Sequence, residues 1–320
     1  MLIHILMATY NGERFLPEQL ASIERQTQRE WKLHVRDDVS VDGTWKILER
    51  FASEHSGQVE LVRGEERLGA KDNFAWLLRG VREAGDYVFC DQDDIWEPEK
   101  LELLQKKLRE SEKEKDQKEN GLCQASVPAL VYSDAVVIDE NGELTAPSFA
   151  EQTGIPCAED RVMEHLLLCN FVQGAAAMWN QSLHEIVSPH PVPGQALMHD
   201  WWLALVAAGH GRIVFLPQKL IRYRQHPDNV LGGFDRGEWH RTVRRKLMGG
   251  RIRRLVESNR QLFSERREQA EAYQRIYGDR RADRYLEIAG KRPKCYRAYL
   301  GIREGYIFLS KIYSLKYYLL

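Results

Sequence analysis

The first hundred residues alternate short β-rich runs with longer helical patterns, and this alternation constrains the fold more tightly than any other feature of the chain. Leu2–Ala8, Lys32–Arg36, Val59–Arg63 and Tyr87–Cys90 read as strands; Phe15–Gln26, Thr44–His55 and Asn73–Ala84 read as helices. Strand and helix in strict succession predict βαβ units and a mostly parallel sheet. The strands are nearly continuous in apolar residues, so both faces of the sheet are expected to be covered. Each strand runs into a polar loop: Ala8-Thr9-Tyr10-Asn11-Gly12, then Arg36 through Thr44, then Asp91-Gln92-Asp93-Asp94. Ligands of open α/β sheets bind outside the carboxyl ends of the strands, so these three loops are expected to converge on one crevice.

Further along, a Lys- and Glu-rich helix from Leu101 runs out at Asn120-Gly121. A strand follows at Leu130–Asp139, closed by the Asn141-Gly142 turn signal. Arg161–Leu168 reads as helix, Phe171–Met178 as strand, Asp200–Ala208 as helix and Arg212–Arg224 as strand. The proline-rich stretch Ser188–Gly194 is expected to be a loop. From Arg236 the character changes, with roughly 22 Lys and Arg against 9 Asp and Glu, about +13 in a chain whose net charge is −1. Arg241, Arg244, Arg245, Arg251, Arg253 and Arg254 fall at helical spacing, and the final stretch interleaves Tyr306, Phe308, Tyr313, Tyr317 and Tyr318 with Lys311 and Lys316. The expected division is an α/β domain over 1–235 and a basic, mainly helical extension over 236–320. The extension suits either contact with an anionic membrane surface or packing of its aromatic face on the core.

Cys90, Cys123, Cys157, Cys169 and Cys295 are odd in number and never form a C-x-x-C pair, which predicts neither a disulfide frame nor a zinc site and fits a reducing cytoplasm. Leu2–Ala8 is too short for a secretory signal, and no apolar stretch is long enough to span a bilayer. The expected location is therefore the cytoplasm or, peripherally, the inner face of the plasma membrane.

Chemistry concentrates in the loops. Asp91, Asp93 and Asp94 crowd one strand end, where like charges destabilise one another unless a cation or donor compensates. Mg²⁺ or Mn²⁺ would serve, held by one or two carboxylates and diphosphate oxygens; a helix cap by Asp93 or Asp94 is the competing explanation. Asp37-Asp38-Val39-Ser40-Val41-Asp42-Gly43-Thr44 offers acceptors to a nucleobase or ribose, beside an Asx-turn or cap at Asp42 or Thr44.

In order, "MATYNGERFLPEQLASIERQT", "VRDDVSVDGT", "LGAKDNFAWLL" and "FCDQDDIWEPEKL" resemble the family 2 glycosyltransferases of GT-A fold, most closely the bacterial rhamnosyltransferase type, over about residues 1 to 230. The resemblance implies a GT-A-type parallel nucleotide-binding sheet flanked by helices, a nucleoside-diphosphate-sugar donor and a divalent metal, Mg²⁺ or Mn²⁺. It puts Thr9, Tyr10, Asn11 and Asp38 at the nucleoside, Lys71 near the donor, and Asp91 and Asp93 in an Asp-x-Asp element engaging ribose, diphosphate and metal. His226, in the stretch from Tyr223 to Val230, falls where the chain closes over the donor phosphates and is a metal ligand or diphosphate donor. Asp200, in Met198-His199-Asp200-Trp201-Trp202, falls at the position of the catalytic carboxylate, with His199 beside it to orient it. The Gln-x-x-Arg-Trp element of processive synthases is absent, which points to single-sugar addition.

The expected function is inverting, metal-dependent transfer of a hexose or deoxyhexose, rhamnose among the candidates, to a hydroxyl of a growing surface glycan or lipid-linked oligosaccharide. Two rivals remain. A sugar-phosphate nucleotidyltransferase would carry a Gly-rich basic loop where Asn11-Gly12-Glu13-Arg14 stands, and a non-catalytic nucleotide-sugar or glycan-binding scaffold would have no use for Asp200. No nucleic-acid recognition motif accompanies the arginine-rich tail. Donor sugar, base, acceptor and oligomeric state are not legible.

Overall fold

Seven residues, Ile3–Thr9, five of them apolar, make the central strand β1, and all but one of the seven are buried. In the computed structural model, which describes residues 1–113, 126–153, 160–227, 229, 252–291 and 293–306, β1 pairs in parallel with β2 (Trp31–Asp37) and β4 (Asp86–Cys90), and β2 with β3 (Val59–Arg63). β4 is buried throughout and β2 at all but one position, as expected of strands covered on both faces; β3 lies at the edge and is half exposed. Three helices connect these strands: α1 (Leu16–Glu24), α2 (Thr44–Glu54) and α3 (Ala70–Gly80). The βαβ reading of the first ninety residues therefore holds, with boundaries shifted by at most three or four residues at helix ends.

Beyond β4 the sheet turns mixed. A two-residue strand β5 (Ile95–Trp96) precedes α4 (Lys100–Lys113), and β6 (Ala129–Ile138) carries the short β7 (Leu144–Ala146) on its flank. The sheet continues with β8 (Ala177–Trp179), antiparallel to β4 and β6, and β9 (Arg212–Arg224), parallel to β6 and antiparallel to β5. Among the described residues its order is β3-β2-β1-β4-β8-β6-β9-β5. The strand expected over Phe171–Met178 is largely a correction. Gly174–Ala176 form a 3₁₀ turn and pairing begins only at Ala177, because burial of small apolar residues does not distinguish a turn from a strand.

By its internal contacts the chain divides into two compact units: Met1–Phe149 with Val172–Val192 and His210–Gly232, and Ala150–Phe171 with Pro193–Gly209 and Gly233–Leu320. The first holds the sheet and its apolar core, from Ile3, Ile5 and Leu33 to Val88, Val131 and Ile221. The described residues of the second are helical, with α5 (Phe149–Thr153), α6 (Val162–Leu166) and α8 (His199–His210) from the middle of the chain; α7 (Gln181–Val187) belongs to the first unit. After residue 251 come α9 (Ile252–Tyr277), α10 (Arg280–Gly290) and α11 (Lys294–Arg303). Gly278 at φ +66° ends α9, and the Asp279 side chain caps α10 at the Arg281 amide, 2.7 Å away, so one dipeptide breaks the helix sharply. Trp202 of α8 packs against Tyr273 and Tyr277 of α9 at 5.8 and 6.1 Å between ring centroids. The expected boundary at 235/236, Arg241 through Arg251, Asn120-Gly121, Cys123, Cys157 and the aromatic run after Tyr306 lie outside the described residues, as do the side chains of Arg253 and Arg254.

Candidate active site

The loops after β1, β2 and β4 are hydrogen-bonded to one another, so the strand order alone brings the first sequence motifs together. The first two interlock through reciprocal bonds between main chain and side chain. Asn11 N donates to Ser40 Oγ at 2.9 Å and Val41 N to Asn11 Oδ1 at 3.0 Å. Gly12 N donates to Thr44 Oγ1 at 2.7 Å, Glu13 N to Asp42 Oδ2 at 3.1 Å and Gly43 N to Glu13 Oε2 at 2.6 Å. Asp42 Oδ1 also accepts from the Thr44 amide and hydroxyl, the Asx-turn expected there. Val39 sits at φ +65°, unfavourable for a β-branched residue; it is held by Asp37, whose carboxylate takes the Ser40 amide at 2.9 Å and both the Ser40 and Thr9 hydroxyls. Thr9, buried, thus spends its hydroxyl on Asp37.

Gln92, which the sequence reading passed over, ties the acidic loop to the first one. Its Oε1 accepts from Tyr10 N and its Nε2 donates to Tyr10 O, both at 2.9 Å. The approach is close enough to require glycine next door, since a Cβ on Gly12 would lie 2.3 Å from Gln92 Oε1. A primary amide is the side chain that meets both polar groups of one residue at once.

Asp91 follows β4 directly, and the three acids behave differently. Asp93 Oδ2 lies 2.9 Å from His226 Nε2, so the two residues expected at the metal are adjacent although 133 positions apart. Asp94 is fully buried; its Oδ1 accepts from Arg224 N at 3.0 Å, and its Oδ2 has no hydrogen-bond partner among the described residues. Burial first, then the neighbouring charges of Asp93 and Asp91, push its carboxyl well above the usual carboxylate range. A carboxyl so held is biased toward its neutral form, which is a poor metal ligand. Neither Asp93 nor Asp94 caps α4: their oxygens go to His226 and to Arg224, across the sheet. Below them Lys100, also fully buried, donates to Ala175 O at 2.7 Å and lies 3.2 Å from the Trp96 ring centroid; burial brings its ammonium down to about 7.

Arg224, at the end of β9, is a second residue that motif reading missed. Only 2% exposed, it donates from Nε to Asp93 O at 2.8 Å, from Nη1 to Asp139 O and Glu140 O at 3.4 Å, and from Nη2 to the Glu18 carboxylate. Its guanidinium also lies 4.7 Å from the Phe15 ring centroid, and that ring in turn is 4.9 Å from the His226 imidazole. The turn after it is fixed by Asn229, which accepts from His226 N and donates to Arg224 O, both at 2.9 Å. One buried cation thus joins α1, the acidic loop, the end of β6 and the strand that delivers His226.

Asp38 is 1% exposed and engaged by both oxygens: Oδ1 accepts from Arg36 Nη1 and Leu68 N at 2.8 Å, and Oδ2 from Gly69 N at 2.7 Å. Lys71 is in the first turn of α3, 3.8 Å from Asp72. Asp200 belongs to the second unit, in the first turn of α8, where its Oδ1 accepts from Trp201 N at 2.6 Å. Beside it His199 is buried, and burial holds its imidazole down to about 3, so it stays neutral.

Among the described residues no cluster of three or more His, Cys, Asp and Glu side chains encloses a metal position. Asp93 and His226 could supply two ligands, a hard carboxylate oxygen and an imidazole nitrogen, a donor pair that would suit a divalent ion completing its shell with diphosphate oxygens and water.

Residues 4–114 match the family model for glycosyl transferase family 2. The dTDP-rhamnosyl transferase RfbG of Shigella flexneri is 26% identical over 260 residues, covering 73% of this chain and 81% of that protein. Mycobacterial relatives, also 26% identical, are longer, and the chain spans 62% of their length. Among solved structures, S. aureus TarS 1–349 in complex with UDP superposes with a TM-score of 0.55 at 15% identity, covering all of this chain and 89% of that one. The mannosyltransferase PcManGT from Pyrobaculum calidifontis, in complex with GDP-Man and Mn²⁺, gives 0.51 at 18% identity, covering 98% of this chain and 85% of that one. At these identities the structural likeness establishes the fold, GT-A.

Proposed function

We propose that this chain, a family 2 glycosyltransferase through residues 4–114, performs an inverting, metal-dependent transfer of a sugar from a nucleoside diphosphate to a hydroxyl of a growing surface glycan or lipid-linked oligosaccharide. The observation that carries the reading is the junction of three strand-end loops with Asp93 set against His226 at 2.9 Å. Thr9, Tyr10, Asn11, Asp38, Lys71 and Asp91 make up the nucleotide side, and Asp93 and His226 hold Mg²⁺ or Mn²⁺. When bound, such an ion offsets the negative charge that develops on the leaving diphosphate. A deoxyhexose such as rhamnose is the sugar favoured by the likeness to RfbG.

The proton chemistry falls to Asp200. As the acceptor oxygen bonds to the anomeric carbon and the bond to the diphosphate breaks, the acceptor's proton passes to this carboxylate. Loss of charge in Asp200→Asn should abolish transfer from dTDP-rhamnose, or from whichever donor is used, while leaving donor affinity within about twofold. Unchanged turnover in that variant removes the assignment. Product carrying the donor's anomeric configuration removes inversion.

Among the described residues no helix is long and apolar enough to cross a membrane. Tyr296 and Tyr299 of α11 are 48% and 57% exposed near Lys294 and Arg303, in a segment of high positive charge, which supports peripheral docking on anionic lipid at the inner membrane face. Sedimentation with anionic but not neutral vesicles is the expected result; equal recovery with both contradicts it.

A further inference from the structure

Asp200 is the second residue of α8, and the chain on either side of it is held by α9, a helix of the C-terminal extension. Ala196 N donates to Pro193 O at 2.9 Å and Trp202 N to Met198 O at 3.0 Å, so the turn and the first helical bond leave the Leu197 amide to an outside partner. That partner is the buried Gln269, whose Oε1 accepts from Leu197 N at 2.8 Å. On the other side, the Trp201 indole donates from Nε1 to Leu166 O, at the end of α6, at 2.6 Å. The guanidinium carbon of Arg266 stands 5.5 Å from the centroid of the same indole, within reach of a cation–π contact. Arg266 is buried too, and donates from Nε to Leu168 O and from Nη1 to Leu262 O at 3.1 Å. Arg266, Gln269, Tyr273 and Tyr277 recur every three or four residues, so one face of α9 carries both polar contacts and the two tyrosines that pack on Trp202. All of these residues belong to the second unit.

From this arrangement we infer that Gln269 and Arg266 are positioning residues for Asp200, which makes the C-terminal extension part of the machinery that activates the acceptor. The inference rests on the assignment of the acceptor's proton to Asp200 and adds what holds that carboxylate in place. Gln269 acts through the main chain three residues before Asp200, and Arg266 through the residue after it. Trp201 is also the residue whose amide donates to Asp200 Oδ1, so a ring held by Arg266 and Leu166 fixes the group that orients the carboxylate. A base must stand within hydrogen-bond reach of the hydroxyl it deprotonates, about 2.6–3.2 Å. A displacement of about 1 Å costs on the order of a hundredfold in rate. A helix start whose preceding amide lacks a partner does not keep to that tolerance, and the Gln269 oxygen removes the freedom. Because both side chains are buried, neither contributes to lipid contact.

The test follows release of nucleoside diphosphate from dTDP-rhamnose, UDP-glucose and GDP-mannose with Mn²⁺, water standing in for the acceptor, in the full-length protein and in Q269M, R266K and D200N. Q269M keeps the bulk of the side chain without its acceptor oxygen, and should lower kcat by about tenfold or more while the donor KM stays within about twofold. R266K keeps the charge but not the planar fork over Trp201, and should lower kcat by about threefold to tenfold with the same unchanged KM. It supplies the same split should Q269M not fold. Hydrogen exchange in Q269M should quicken in the peptide that contains Leu197 to Trp202 and stay unchanged in the strands of the first unit. Wild-type kcat in Q269M and R266K overturns the inference, and so does a loss carried by the donor KM, which would mark general damage to the fold. Unchanged release in D200N would instead overturn the assignment of the proton to Asp200, and no release from any of the three donors by the unsubstituted protein would overturn the donor-site reading.

Discussion

Gln92 holds Tyr10 by both of its main-chain polar groups, accepting from the amide and donating to the carbonyl at 2.9 Å each. The acidic loop is thereby fixed to the loop after β1 without spending any carboxylate on the connection, leaving Asp91 and Asp93 for other partners. Gln92→Ala should lower stability by about 1–3 kcal/mol, the usual cost of leaving partly buried groups unpaired. Gly12→Ala, which displaces the same amide, should cost a similar amount, yet the double variant should cost far less than the sum. Denaturant titration of the four proteins checks this; additive losses would mean the two substitutions act through different contacts.

Arg224 is the second prediction, because a buried cation cannot be lost quietly. Arg224→Met leaves the Asp93, Asp139 and Glu140 carbonyls without their donor and should destabilise by about 1–3 kcal/mol. Arg224→Lys keeps the charge but not the fork, so it should fold and yet bind Mn²⁺ more weakly, because the Asp93 carbonyl is no longer fixed opposite the strand carrying His226. Electron paramagnetic resonance of Mn²⁺ reads this directly. Wild-type Mn²⁺ affinity in Arg224→Lys would reduce the residue to a packing role.

A third prediction concerns acid. His184 donates from Nε2 to Val81 O at 2.7 Å, accepts at Nδ1 from Trp179 Nε1 at 3.4 Å, and stacks on Tyr87 at 3.7 Å between centroids. Burial lowers its imidazole to about 4, and burial also lowers His4 and His34. In the unfolded chain these groups take up protons first, so the stability they contribute is complete above about pH 6.5 and declines as pH falls toward 4. For His184 alone the loss amounts to about 3 kcal/mol across that window. Urea midpoints between pH 7.5 and 4.5 should fall, and His184→Asn should fall less steeply from a lower starting point. An unchanged slope in that variant would contradict the assignment.

Val39 gives a fourth. A β-branched residue at φ +65° carries strain that asparagine relieves, so Val39→Asn should raise stability by about 0.5–1 kcal/mol. A drop in the thermal midpoint would show that the side chain, half-buried in this loop, contributes more by packing than its backbone costs.

Legibility in the sequence follows the range of the interactions. β1 and β4 were readable because strands covered on both faces are rich in apolar residues, while β2 alternates Trp31, Leu33 and Val35 with polar residues that the fold largely buries; the loops at their carboxyl ends follow from the parallel order. The Asp42–Thr44 turn was readable because it is local. Gln92 and Arg224 were not, since each draws its meaning from partners tens to hundreds of residues away, and glutamine or arginine in a loop carries no periodic signal. Asp38 was expected at the nucleoside, and only the fold reveals that its oxygens meet Arg36, Leu68 and Gly69. Phe171–Met178 misled because buried alanine and glycine fit a turn as readily as a strand.

The central claim is that Asp93 and His226 hold a divalent ion beneath a nucleoside-diphosphate donor. Its most direct measurement is calorimetry of UDP-, GDP- and dTDP-sugars against the full-length protein with and without Mn²⁺, repeated for Asp93→Ala and His226→Ala. Binding of at least one donor that strengthens tenfold or more with Mn²⁺, and that loses this dependence in both variants, is the predicted result. Donor binding indifferent to Mn²⁺, or Mn²⁺ dependence that survives both substitutions, contradicts it.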